Sequence, residues 1–97
     1  MGAEVRLMAR KKVASVFQHL YPADQAAEME IRARLLRGLT DWLKVAGLTQ
    51  IQAAKALGLT QARISDLHRG KINRFSLDLL VRLAARAGLR PKLRLAA

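Results

Sequence analysis

Between Thr49 and Gly70 the chain reads TQIQAAKALGLTQARISDLHRG, and this stretch constrains the fold more than any other. It holds two short helical patterns, Gln50 to Leu57 and Gln61 to Arg69, separated only by Gly58, Leu59 and Thr60. Thr49 and Thr60 stand where a hydroxyl accepts a bond from the free N–H groups of the helix that follows. Gly58 and Gly70 stand just past each helix, where a left-handed backbone is easiest for glycine. Ala53, Ala54, Leu57, Leu59, Ile64 and Leu67 form the inward side, and the small Ala54 lets the two helices cross closely. A helical hairpin inside an unrelated bundle is the competing reading, but it does not require caps, glycines and apolar positions in this spacing. Two helices joined so tightly form a helix-turn-helix, a unit able to lay its second helix in the major groove of DNA.

Charge agrees with a polyanionic partner. The 97 residues carry 18 Lys plus Arg against 7 Asp plus Glu, a net charge of +11. Residues 63–97 alone hold nine cations and two acids, so the excess begins inside the second helix of the motif and runs onward. Duplex DNA is the densest polyanion that fits, although an anionic membrane or RNA would satisfy the charge equally well. A hydrophobic content of 52% predicts a folded domain, and the length suits one domain with a modest core. With no cysteine there is no disulfide, thiol nucleophile or thiolate metal site. No apolar run approaches a membrane span and no signal peptide pattern appears, so a cytoplasmic protein is expected.

Three segments follow from the patterning. Residues 1–20 lack a steady period, with strand-like pieces at Val5–Leu7 and Val13–Phe17 and a basic cluster at Arg10, Lys11 and Lys12. They are expected to form a poorly ordered basic arm. Residues 21–88 make the helical domain. A helix opens at Tyr21-Pro22-Ala23-Asp24, with Asp24, Glu28 and Glu30 near its positive end. It continues to Ala46 as one helix, or as two with a break near Thr40, because Gly38 inside it costs roughly 1 kcal/mol relative to alanine. Met29, Leu36, Leu39, Leu43 and Ala46 recur at helical spacing, widened by Ile31, Leu35 and Trp42. After the motif, Lys71–Phe75 reads as a loop, and Ser76 caps a last helix, Leu77–Ala87, whose core face is Leu77, Leu80, Val81 and Ala84. In residues 89–97, Leu89, Pro91, Leu93 and Leu95 alternate with Arg90, Lys92 and Arg94, a strand period. Pro91 confines such a strand to an edge, and a second copy of the chain is its natural partner; a frayed cationic tail is the alternative.

With TQIQAAKALGLTQARISDLHRG, RFSLDLLVRLAARAG (74–88) and VASVFQHLYPADQAAEMEIRARLLRGL (13–39) taken together, the sequence resembles the Cro/C1-type (XRE) helix-turn-helix family, and within it the short HigA-type antitoxin regulators. The resemblance covers roughly Val16 to Leu95. It implies an all-α domain of four to five helices, here with a short C-terminal strand and a flexible basic N-terminal arm. It also implies a homodimer that binds double-stranded DNA at a palindromic operator, represses transcription, and neutralises an mRNA-cleaving toxin. The alternative is a stand-alone or phage-type repressor without a toxin.

Docking of the motif assigns roles to particular residues. With Ile64 and Leu67 turned inward, Thr60, Gln61, Ala62, Arg63, Ser65 and Asp66 face outward. Gln61 suits adenine N6 and N7, Arg63 suits guanine O6 and N7, and Ala62 offers a methyl surface to thymine. Arg69, Lys71, Asn73 and Arg74 follow the second helix and are expected on phosphates. Gln50 resembles the family's phosphate-contacting glutamine. Asp66 is repelled by phosphate, so it either accepts from cytosine N4 or, as the favoured reading, orients Arg63 and Arg69 at i,i+3 spacing. Arg74 has the rival role of capping a neighbouring helix.

Leu79 and Leu83, left over once the core face of the last helix is assigned, join Leu89, Leu93 and Leu95 as the expected dimer surface. The expected toxin-binding residues are Val13, Val16, Phe17, Leu20, Asp24 and Glu28, with the acids supplying charge and the apolar residues a dry contact. No cofactor or metal is expected, since His19 and His68 have no company suited to a metal. Ser15, Ser65 and Ser76 have no base and orienter beside them, so catalysis is not expected. A cationic amphipathic membrane binder would explain the charge but not the caps and glycines.

Overall fold

The computed structural model of the chain describes residues 21–96. The expected arm, its strand-like pieces and the candidates Val13, Val16, Phe17 and Leu20 lie outside the described residues. Four α-helices are present among those described: α1 Ala23–Ala46, α2 Gln50–Leu57, α3 Gln61–His68 and α4 Leu77–Arg86. A 3₁₀ turn, Ile72–Arg74, lies between α3 and α4 in the segment expected to be plain loop. The described residues fall into two units that divide between Ile31 and Arg32.

In the first unit α1 starts where Ala26 N–H donates to the Pro22 carbonyl at 2.8 Å, and Ala26 and Met29 are buried. Proline suits this position because it has no N–H to leave unpaired. The helix is unbroken to Ala46. Nothing lies within 4 Å of a side chain built at Gly38, and Thr40 Oγ1 simply donates back to the Arg37 carbonyl at 2.9 Å. The modest helix penalty of one glycine is outweighed by burial of Leu36, Leu39 and Leu43, each worth about 1.5–3 kcal/mol.

In the second unit those three leucines share one core with Ala53, Ala54 and Leu57 of α2, Ile64 and Leu67 of α3, Phe75, and Leu80 and Leu83 of α4. Leu35, Trp42, Leu48, Leu59, Ile72, Leu79, Ala87 and Leu89 pack around it half-buried. The six inward positions expected of the motif are all in this cluster or against it. Ala46 is exposed, so the buried stripe of α1 ends at Leu43.

Two expectations about α4 are corrected. Leu83, expected on a dimer surface, is wholly buried, and Val81, expected in the core, is 42% exposed. The stripe that faces inward is Leu79, Leu80, Leu83, Ala84 and Ala87, so the true face lies to the other side of Leu80 and Ala84. Phe75 decides this rotation. It sits just before the cap Ser76, five positions ahead of Leu80, the fourth residue of the helix, and both are completely buried, the arrangement of a hydrophobic staple.

The helix ends are closed as the sequence requires. Thr49 Oγ1 accepts from Gln52 N–H at 3.1 Å while Gln52 Oε1 accepts from Thr49 N–H at 3.0 Å, completing a capping box. Thr60 Oγ1 accepts from Arg63 N–H at 3.2 Å, and Ser76 Oγ from Leu79 N–H at 3.3 Å. The Ser76 hydroxyl also holds the exposed Asp78 carboxyl below its ordinary pKa, with Arg82 adding a smaller effect in the same direction. That contribution to stability is present at neutral pH and is lost as acid protonates Asp78. Gly58 and Gly70 both adopt φ +66°, reversing the chain after α2 and α3.

Residues 89–96 have no regular secondary structure, which corrects the expected strand for the single chain. A strand needs a neighbouring backbone, and among the described residues none pairs with this tail. Only its start is tied down, with Leu89 N–H donating to the Ala84 carbonyl at 2.9 Å and the Leu89 side chain against the core. Leu93 and Leu95 are 66% and 88% exposed.

Thr60→Ala removes the α3 cap and is expected to cost about 0.5–2 kcal/mol; Gly58→Ala, forced into the left-handed region, is expected to cost about 1–2 kcal/mol. Urea unfolding of each variant measures both, and unchanged midpoints would show that the two turns contribute nothing.

Candidate nucleic-acid interface

Burial of Ile64 and Leu67 fixes which side of α3 faces outward. Gln61 and Ala62 are exposed, and Arg63, Ser65 and Asp66 are half-buried. The cap Thr60 is exposed at the start of the helix, and Gln50 is exposed in the first turn of α2. Arg69 lies at the end of α3, and Lys71, Asn73 and Arg74 follow it, Lys71 half-buried and the others exposed. None of the eleven residues expected at this interface is buried. Among the described residues, no hydrogen bond or ion pair engages the side chains of Gln50, Gln61, Arg69, Asn73 or Arg74. They are therefore unencumbered donors.

Two of the eleven are differently placed than the sequence suggests. Asp66 does not orient Arg63 and Arg69; its Oδ1 lies 3.6 Å from Lys71 Nζ. The left-handed Gly70 turns the chain back so that Lys71 N–H donates to the Asp66 carbonyl at 3.1 Å, which delivers the lysine to the aspartate. A half-exposed pair of this kind is worth at most about 1 kcal/mol, but it cancels the repulsion an isolated carboxylate would feel beside phosphates. Arg63 is also engaged. Its Nη1 donates to the Arg74 carbonyl at 2.9 Å, and its guanidinium carbon lies 5.2 Å from the centre of the Phe75 ring.

Residues outside the expected set hold this surface in shape. Arg32, on α1, reaches the segment after α3: its Nε donates to the Phe75 carbonyl and its Nη2 to the Ile72 carbonyl, each at 2.9 Å, and Nη2 also reaches the Phe75 carbonyl. Together with Arg63 it occupies the carbonyls of Ile72, Arg74 and Phe75. A guanidinium suits this task because its planar fork presents several donors at fixed angles. Arg86 of α4 performs the helix-capping role considered for Arg74: its Nη1 donates to the Leu57 carbonyl at 2.8 Å, at the negative end of α2. A side chain at Gly58 would stand 3.2 Å from that same Nη1. The staple spacing around Ser76 was a local signal for Phe75. Arg32 and Arg86 meet partners about 40 and 29 positions away, and no short-range pattern reports such pairs.

Of the other expected sites, Asp24 and Glu28 are exposed on α1. Among the described residues no group of three or more His, Cys, Asp or Glu is arranged to hold a metal, and no helix is long and apolar enough to cross a membrane.

Two short capped helices around a glycine turn, with the polar side of the second open to solvent and cations clustered after it, define a helix-turn-helix protein. A helix-turn-helix domain family model matches residues 16–95, and the chain belongs to that family. No curated protein matches it. Family and fold together point to a DNA-binding regulator.

Proposed function

We propose that the protein is a sequence-specific transcriptional repressor that binds duplex DNA as a homodimer. The observation that carries this reading is the exposed polar side of α3, presented by the burial of Ile64 and Leu67 and flanked by Arg69, Lys71, Asn73 and Arg74. The start of α3 enters the major groove, where Gln61 grips adenine and Ala62 meets a thymine methyl, with Thr60 and Ser65 beside them. Gln50 and the four polar residues after α3 hold phosphates on either side. Asp66, neutralised by Lys71, borders this surface. Two copies related by a two-fold axis read half-sites one helical turn apart on one face of the duplex, and repression follows where such a site overlaps a promoter.

Selection from randomised duplexes tests the reading. The full chain is expected to recover one palindromic site and to bind it at least about a thousandfold more tightly than unrelated DNA. Gln61→Ala should weaken that site by about 1–3 kcal/mol and relax preference at one half-site position. Equal affinity for every duplex would overturn the repressor reading, and would leave an anionic membrane as the target of the positive charge.

The dimer is assigned to the tail. Leu93 and Leu95 are exposed, the backbone beside them is unpaired, and Leu89 anchors the segment to the core. With Leu83 inside the protein and Leu79 packed against the core, the tail carries most of the pairing surface. Deleting residues 89–97 should shift the protein toward monomer and weaken operator binding; a truncated chain that still sediments as a dimer at low micromolar concentration would exclude this role.

The finer role is that of a HigA-type antitoxin, and its support is the resemblance of residues 13–39 and 49–88 to those regulators. In this role residues 13–20 with Asp24 and Glu28 bind the toxin, an mRNA-cleaving protein encoded beside this gene, and the pair represses its own operon. Expression of the neighbouring small reading frame alone should arrest growth, with co-expression of this chain restoring it. A neighbour without toxicity would leave a stand-alone repressor.

A further inference from the structure

The guanidinium of Arg63 is the feature that the reading above does not absorb. Arg63 lies in the first turn of α3, a position from which an arginine can reach guanine. Its side chain instead turns along the protein: Nη1 donates to the Arg74 carbonyl at 2.9 Å, and the guanidinium lies over the Phe75 ring at 5.2 Å. That ring is fully buried and cannot follow if the arginine leaves. The backbone beside it is held from a second direction, because Arg32 occupies the carbonyls of Ile72 and Phe75.

We infer that Arg63 is a positioning residue, a latch between the recognition helix and the segment that follows it, which aims Arg74 and its neighbours Lys71 and Asn73 at the DNA backbone. The inference rests on the DNA-binding reading and refines it by assigning Arg63 to backbone affinity instead of base readout. The chemistry favours this division of labour. To reach a base edge, Arg63 must give up both the Arg74 carbonyl and the face of Phe75, whereas Gln61 and Arg74 have no such ties. Arg63 fixes the peptide at Arg74, and a fixed peptide limits the directions in which the Arg74 side chain can point. A phosphate contact made from an ordered backbone loses less conformational freedom on binding.

The test compares the full wild-type chain with Arg63→Ala, Arg63→Gln and Arg74→Ala on the selected site and on an unrelated duplex across about 50–200 mM salt. Under the proposal Arg63→Ala lowers affinity for both duplexes by a similar factor, about tenfold, and reduces the salt slope by about one phosphate contact. Arg74→Ala reproduces that loss, and the double variant falls little further. Arg63→Gln, which keeps a planar donor for the Arg74 carbonyl, recovers part of the slope and leaves base preference unchanged. Amide exchange at Arg74 and Phe75 accelerates in Arg63→Ala while the α2 amides stay protected, which separates loss of the latch from loss of the fold. A switch from guanine to adenine at one half-site position in Arg63→Gln would identify a base reader and overturn the proposal alone. So would wild-type affinity and slope in Arg63→Ala. A wild-type chain that fails to bind DNA would overturn the DNA-binding reading and this inference with it.

Discussion

Burial of Ile64 and Leu67 is the constraint from which the rest of this structure follows. Both side chains are completely inaccessible, and together they fix the rotation of an eight-residue helix that is too short to be stable alone. Once that rotation is set, Gln61 and Ala62 have nowhere to point but outward. The core beneath is dry, with no buried polar or charged residue among those described. Specific geometry therefore comes from shape in the interior and from hydrogen bonds at the rim.

The rim bonds have a common form. Arg32, Arg63 and Arg86 each donate guanidinium N–H groups to backbone carbonyls, at Arg74, Phe75 and Leu57 and at Ile72, which also accepts from Phe75 N–H within the 3₁₀ turn. A chain with so many arginines is thus not simply a polycation with a fold attached. Part of its positive charge is structural, while among the described residues the side chains of Arg69 and Arg74 stand exposed after α3 and open to a polyanion. Total charge overstates the binding surface for this reason.

The motif was legible because its signals are local. Threonine caps, glycines in left-handed turns and apolar spacing each act within four or five residues, and α1 and α2 begin and end where the sequence places them, with α3 and α4 one residue shorter. The rotation of α4 was not legible in the same way. Its leucines at 77, 79, 80 and 83 and Val81 offer two overlapping stripes, and the choice between them falls to Phe75, a residue outside the helix. Asp66 and Lys71 show a similar limit: helical spacing pointed to the arginines, but the reversal at Gly70 delivered a different cation. The tail period is clear in the sequence, yet a strand is a property of two backbones, and one chain supplies only one.

The bond from Arg86 to the Leu57 carbonyl links the elbow of the motif to the final turn of α4, three residues before the chain leaves the core at Leu89. Elbow and exit point are thus joined by one charged tie and the short Ala87–Gly88 turn, a span held by Gly88 N–H on the Ala85 carbonyl and Leu89 N–H on the Ala84 carbonyl. In an assembly gripped through the tail, that span would act as a ruler. The separation of the two reading heads would then be a property of the backbone, and a change in side chains at the protein–DNA contact would alter which letters are read without altering how far apart they lie.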